Sequence, residues 1–325
     1  MTHENRPRLF VSKCLGFEAC RWNGAVISNK FVKSLSPFVD IITACPEKEI
    51  GLGVPRNPVR LICIDQKNQE EVMCQLETGK DVTEEMRSYS RTQLNTISGI
   101  DGFLLKDRSP SCGLKDVKVY PGLDKSNSLY RTSGLFAQAV LERFSALPVE
   151  TEGRLNNFTI RENFLTRLFS QARFREISVK KKIKDLVRFH SEHKLLLMAS
   201  SQKELRILGK ITANHDKKKP EEVFSAYAKH LTAALQKPAR YTSRINVLMH
   251  AFGYFSQEIS SRERRFFLNT IEEYRREQIP LSVPARLVRS HAVRFGIQYL
   301  LEQVFFEPYP AALADITDSG KGRGG

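Results

Sequence analysis

Through the first half of the chain, short apolar runs alternate with amphipathic stretches. Leu9–Val11, Val39–Ile42, Val59–Ile64, Phe103–Leu105 and Val117–Tyr120 are too short for helices and rich in β-formers, which predicts strands. Between them, helices are expected at Lys30–Ser36, ended by Pro37, from Asp81 to about Ile97, and over Gly134–Ser145. Asp81-Val-Thr-Glu84 has the spacing of a capping box at the start of the second of these. Strand–helix alternation of this kind predicts an α/β layer fold with a mostly parallel sheet and flanking helices.

From Ile160 onward the period changes. Apolar residues recur at helical spacing: Phe164, Leu165, Leu168 and Phe169, then Ile183, Leu186 and Val187, and later Phe252, Phe255, Phe267, Ile271 and Tyr274. Breaks fall at Lys217–Pro220, Pro238 and Ile279–Pro284, so this half is expected to be all-α. Pro148 and Gly153 interrupt the pattern between the halves. The expected organisation is therefore an α/β domain over 1–150, a helical domain over 151–317 and a Gly/Lys/Arg-rich disordered tail over 318–325.

The composition is that of a globular protein, with 41% hydrophobic and 27% charged residues among 325. No apolar run is long enough to span a bilayer and no leader precedes the first strand, so a cytoplasmic protein without a membrane partner is expected. Charge changes the picture more. Residues 1–150 carry 20 Lys and Arg against 18 Asp and Glu, a net of +2. Residues 151–325 carry 31 against 18, a net of +13. A basic domain behind a near-neutral one suggests a polyanion partner, with separate chemistry in the first half.

That chemistry points to cysteine. Cys14, Cys45 and Cys112 each follow one of the predicted strands and sit in a turn. Ligands of an open parallel sheet bind beyond the carboxyl ends of its strands, so neighbouring strands would bring the three thiols to one point. No Cys-x2-Cys pair suggests a zinc ribbon, and no disulfide framework is spaced along the chain. Three single cysteines suit a cubane iron–sulfur cluster in which one iron lacks a protein ligand and can act as a Lewis acid toward soft sulfur.

Five motifs then make the reading specific. Val11-Ser-Lys-Cys-Leu15, Cys45-Pro-Glu47, Gly51-Leu-Gly-Val-Pro-Arg56, Asp81-Val-Thr83 and Ser109-Pro-Ser-Cys-Gly113 resemble, in order, the TudS-like thiouracil desulfidases over about residues 7–147. The resemblance implies that Cys14, Cys45 and Cys112 bind a [4Fe-4S] cluster whose remaining iron takes the substrate sulfur. It also implies Glu47 and Ser109 as catalytic residues. In the second half, Phe189–Ala199, Asn246–Phe255 and Ile279–Leu281 resemble the YbgA-type helical domain. The combination is similar to the RudS desulfidases, which implies conversion of 4-thiouridine in tRNA to uridine, with sulfide released by water rather than by a redox step. The helical domain would then bind tRNA. Where the single-domain desulfidases have a second leucine and a Tyr-Asp-Gly turn, this chain has Cys14-Leu-Gly-Phe-Glu-Ala-Cys20 and Trp22-Asn-Gly24, so their preference for the free base does not carry over.

Further candidates flank these motifs. Lys106 and Arg108 stand beside Ser109 as possible phosphate or substrate contacts, and Cys20 is a rival ligand or pocket thiol. Cys63 reads as a packed strand residue and Cys74 as part of a polar helical stretch. His190 and His193, with Glu192 between, lack a full ligand set and are expected on a solvated or RNA-facing helix surface. The aromatics Phe266, Phe267 and Tyr274 among Arg262, Arg264, Arg265, Arg275 and Arg276 fit a core stripe. Two other readings stay open: a desulfidase of free thiouracil or thionucleosides, and a non-catalytic RNA-binding protein whose structural metal site takes Cys20 as its fourth ligand.

Overall fold

The computed structural model describes residues 6–65, 67–124 and 126–315. The expected tail over 318–325 lies outside them. The chain forms two compact units: the first runs to Ala172 and takes back the segment from Ala312, and the second spans Arg173–Ala311.

The first unit holds two four-stranded sheets rather than the single sheet expected from sequence. In the first sheet β1 (Arg8–Ser12), β2 (Asp40–Ala44), β5 (Gly102–Leu105) and β8 (Val149–Thr151) run parallel in the order β2-β1-β5-β8. β1 and β5 are buried almost throughout, as central strands of a covered parallel sheet must be. The second sheet is mixed. β3 (Val59–Asp65) forms a hairpin with β4 (Glu70–Gln75), runs parallel to β6 (Val117–Tyr120), and β6 pairs antiparallel with β7 (Tyr130–Thr132). β4, β7 and β8 are short or rich in polar residues, so no apolar run marks them. Cys74 accordingly lies in a strand, not a helix.

One core serves both sheets. Phe10, Phe103 and Leu105 from the first meet Leu61, Met73, Val117 and Val119 from the second, with Met86 and Leu94 of α2 (Thr83–Thr96) and Phe136 and Val140 of α3 (Leu135–Arg143) filling between. The short helix α1 (Lys30–Leu35) starts where expected, capped by the Asn29 side chain, which accepts from the Val32 N–H. The expected capping box at α2 does not form. Asp81 Oδ1 instead accepts from the Thr83 N–H at 2.8 Å and from its hydroxyl at 2.5 Å, and Thr83 Oγ1 accepts from the Met73 N–H at 2.7 Å. The motif thus pins the helix start to β4.

Helix α3 begins against the loop that follows β5. Its first amides donate to carbonyls of that loop: Gly134 N–H to Gly113 O, Leu135 N–H to Pro110 O and Ala137 N–H to Ser111 O. These would otherwise be orphan donors of the first turn. The approach is so close that a Cβ on Gly134 would lie 2.4 Å from the Ser111 carbonyl carbon.

The second unit is all-helical: the later turns of α4 (Phe158–Lys180), then α5 (Ile183–Ser200), α6 (Gln202–Ala213), α7 (Pro220–Leu235), α8 (Tyr241–Gly253), α9 (Ser261–Arg275), α10 (Ser282–Arg294) and the short α11 (Gln298–Leu301). Its core is one cluster running from Phe174 to Phe305. Two expectations are corrected here. His193 is fully buried, stacked on Phe189 with ring centroids 3.8 Å apart, and burial pushes its basicity down to about 3. His190 is partly buried and its Nδ1 lies 3.0 Å from the Tyr227 hydroxyl. The pair therefore faces the core rather than solvent, since α5 is surrounded by α6, α7 and α8. Within the aromatic run, Phe267 and Tyr274 are buried, but Phe266 is exposed. Adjacent residues of a helix point about 100° apart, and only one of the two phenylalanines can face inward.

Gly134→Ala is expected to lower stability by about 1–3 kcal/mol, because the added methyl meets backbone that can move only with the whole loop. Urea unfolding of the two proteins checks this.

Candidate active site

The strand order β2-β1-β5 sets three strand ends side by side, and each end carries one of the singled-out cysteines. Cys14 follows β1 in a turn closed by Leu15 N–H to Ser12 O, and its own carbonyl accepts from Ile27 N–H. Cys45 follows β2 directly and its carbonyl accepts from the amides of Lys48 and Glu49. Cys112 sits in the loop held by α3. All three are buried, at 8%, 8% and 4% exposure, and all three line one cavity of about 690 Å³.

The thiols feel one another. Burial, and then the neighbouring Cys45, push the Cys14 thiol up to about 12. Burial raises Cys112 well above the ordinary thiol range, with Cys14 and Cys45 adding to the rise and a hydrogen bond from Ser12 opposing it. Three anionic sulfurs at this spot would repel strongly unless a cationic group lay among them. Among the described residues, no three His, Cys, Asp or Glu side chains close around a single metal ion. A cubane asks for something different: one thiolate per iron, at separate corners, from buried sulfur donors around a cavity. The residues present fit that demand in chemistry.

Cys20 belongs to the same place. It is fully buried, lines the cavity, and its carbonyl accepts from the Cys45 thiol at 3.6 Å. Burial and Cys45 push its thiol up to about 12.

Glu47, two residues beyond Cys45, is held from both sides. Its Oε2 accepts from Arg56 Nη2 at 2.7 Å and Nε at 3.1 Å. Its Oε1 accepts from the Ser111 hydroxyl at 2.9 Å and the Ser109 hydroxyl at 3.3 Å. The Arg56 side chain is only 3% exposed, and its Nη1 also donates to the carbonyls of Cys20 and Gly53, at 3.0 Å each. Ser109 Oγ accepts from the amides of Ser111 and Cys112, both at 3.2 Å, so this hydroxyl shapes the Cys112 loop as well as facing Glu47.

Of the flanking cations, Lys106 is tied to Glu152 by an ion pair and donates to Asp107 O at 2.9 Å, while Glu152 also accepts from Asp107 N–H at 2.7 Å. Arg108 lines the cavity with its side chain 82% exposed and a positive φ of 57°.

Sequence reasoning missed four contributors. Arg56 lay inside a quoted motif without a role; a buried arginine can be inferred only once its carboxylate partner is known. Ser111 is closer to Glu47 than Ser109 is, yet both occupy the same Ser-Pro-Ser stretch. Asp107 and Asp116 form a carboxyl pair on the cavity wall, and no spacing rule joins them. Burial, then the hydrogen bond and charge of Asp107, push Asp116 up to about 6.

With this geometry in view, five likenesses bear on the chain. The family model for 2-thiouracil desulfurase matches residues 9–152, and a model described as a protein of unknown function, DUF1722, matches residues 194–310. YbbK of Bacillus subtilis (strain 168), itself uncharacterized, is 31% identical over 153 residues, which are 46% of this chain and 98% of YbbK. The uncharacterized YbgA of Escherichia coli (strain K12) is 33% identical over 129 residues, 39% of this chain and 76% of YbgA. A solved structure of a [4Fe-4S]-dependent thiouracil desulfidase, TudS, is 28% identical and covers 46% of this chain and 93% of its own, with a TM-score of 0.37.

Two predictions follow from the carboxylates. Arg56→Leu leaves the half-buried Glu47 carboxylate without its counter-charge and is expected to cost about 1.5–3 kcal/mol in urea unfolding at neutral pH. For Asp116, the folded carboxyl binds its proton more tightly than the unfolded one. Its contribution to stability is therefore full below pH 3.8 and lost as pH rises through about 6. Asp116→Asn should flatten that part of the stability–pH curve, read from unfolding midpoints across pH 3.5–7.

Proposed function

The chain belongs to the 2-thiouracil desulfurase family, with a DUF1722 domain behind the family region, and from that premise we propose that it is a [4Fe-4S]-dependent desulfidase that converts 4-thiouridine in tRNA to uridine by hydrolysis. The observation that carries the reading is the convergence of three buried thiols on a cavity whose wall also presents the Glu47 carboxylate. In this reading Cys14, Cys45 and Cys112 hold the cluster. When bound, it would supply an iron without a protein ligand, a soft Lewis acid for a thiocarbonyl sulfur.

The chain's own residues account for the remaining work. Arg56 holds Oε2 of Glu47, which fixes the carboxylate and leaves Oε1 toward the Ser109 and Ser111 hydroxyls. Oε1 takes one proton from the attacking water, then the second as the C–S bond breaks and the carbonyl forms, and passes both to the departing sulfur, which leaves as hydrogen sulfide. Ser109 and Ser111 orient that water or the base edge. Walls formed by buried strand ends keep bulk water from the thiols.

The tRNA part of the reading is supported by charge. The net of +13 lies in residues 151–325, and Lys180–Lys182, Lys217–Lys219, Arg262, Arg264 and Arg265 of that half are exposed. A neutral free base has no use for such a surface; a polyanion does. Among the described residues no helix is long and apolar enough to cross a membrane.

The test is an anaerobic assay of protein reconstituted with iron and sulfide, following loss of thiocarbonyl absorbance in 4-thiouridine tRNA together with sulfide release. The wild type is expected to turn over. Cys112→Ala should lose both the cluster absorbance and turnover, while Glu47→Gln, which keeps a hydrogen-bonding side chain between the loops, should keep the absorbance and lose turnover by more than about a hundredfold. Turnover of free thiouracil alone would move the substrate to small molecules, and no turnover of either with a loaded cluster would leave a structural metal site.

A further inference from the structure

The near-neutral first unit concentrates cations on one row of its second sheet. In β6–β7 pairing, Lys118 stands directly opposite Arg131. β3 runs parallel to β6 with Leu61 beside Val119, so one step back along the same register Arg60 stands beside Lys118. The three cations form a line across three adjacent strands, about 10 Å long at the usual strand spacing. All three line the cavity that holds the cysteines and Glu47.

Like charges directly opposite each other destabilise a strand pair. Among the described residues none of the three has a carboxylate within ion-pair distance. Arg60 is steered rather than neutralised. Its guanidinium lies 4.0 Å over the Tyr120 ring, and Nη1 donates to the carbonyls of Leu123 and Asp124 at 3.2 and 3.0 Å. That leaves the rest of its fork open. Lys118 and Arg131 are exposed, and Trp22, 46% exposed, lines the same cavity. An anion-free fold would gain by losing this row; a ligand with several negative charges in sequence would gain by meeting it.

We propose that Arg60, Lys118 and Arg131 form a phosphodiester rail that binds the RNA backbone next to the nucleotide entering the cavity. The proposal rests on the desulfidase reading above for the identity of the entering nucleotide. It assigns RNA contact to the catalytic unit itself, in addition to the basic helical unit. A line of three cations over this span suits consecutive phosphates of a chain better than one terminal phosphate.

The test uses the full chain and the variant Arg60→Gln/Lys118→Gln/Arg131→Gln, with an unmodified single-stranded RNA oligonucleotide as the binding probe. Three lost phosphate contacts should make the slope of log K against log salt shallower by about 2. The charge-retaining variant Arg60→Lys/Arg131→Lys should keep the wild-type slope. On thiolated substrates, kcat/KM for RNA should fall at least about tenfold more than kcat/KM for free thiouracil. An unchanged salt slope in the triple variant, a slope lost equally in the charge-retaining variant, or an equal fall on both substrates would overturn the rail. So would a thiouridine monophosphate that suffers as much as the RNA, since that outcome assigns a single-phosphate site. If the wild type desulfurises nothing, the desulfidase reading fails, while the salt slope still decides the rail.

Discussion

A carboxylate taken out of water needs a counter-charge, and the arrangement of the cavity depends on how Glu47 meets that need. Arg56 answers it with two nitrogens on Oε2. The same guanidinium reaches the carbonyls of Cys20 and Gly53, and the Arg56 amide donates to Trp22 O. On the other side, Oε1 gathers the hydroxyls of Ser109 and Ser111. One ion pair therefore ties the segment after β1, the turn after β2 and the loop after β5. These are the three segments that carry Cys14, Cys45 and Cys112. The group proposed to move protons is also the group that holds the three cysteine-bearing segments in register.

The loops are rigid for a second reason. The Cys112 loop hands its carbonyls to the first amides of α3, and Gly134 lets the backbones touch. The Ser109 hydroxyl closes the same loop from within. Burial and mutual proximity raise the Cys14 and Cys112 thiols, so in the isolated protein both stay protonated and neutral near neutral pH. The proposed cluster would need these thiols in their anionic form, so its binding would release protons and depend on pH.

The helical unit solves a different problem. Its core is broad and aromatic, and α5 runs through the middle of it. Gln303, itself buried, accepts from Leu195 N–H and donates to Ser191 O, bridging both groups of one rung of that helix. His193 packs by its ring face on Phe189 and is kept neutral by burial. Polar residues that look like surface chemistry in the sequence are here spent on the interior. Residues 151–325 carry 31 Lys and Arg against 18 Asp and Glu, which gives this half its net of +13.

The sequence by itself determined the parallel strand–helix half, the helical half, and the three cysteines that end β1, β2 and β5. Each is written in a local signal: period, run length, or a turn directly after an apolar run. Glu47 and Ser109 were singled out through the resemblance of their motifs to the desulfidases, not through a local signal of this kind. What only the tertiary structure decided is what depends on who meets whom. The second sheet is invisible locally because β4 and β7 are polar edge strands that pair without an apolar run. Asp81–Thr83 looks like a cap but serves the hairpin beside it. His193 turns inward because three other helices surround α5. The row of Arg60, Lys118 and Arg131 exists only through strand register, since 70 residues lie between the first and the last. Short-range periodicity records which face of an element is apolar; it does not record which partner that face, or its charges, will be set against.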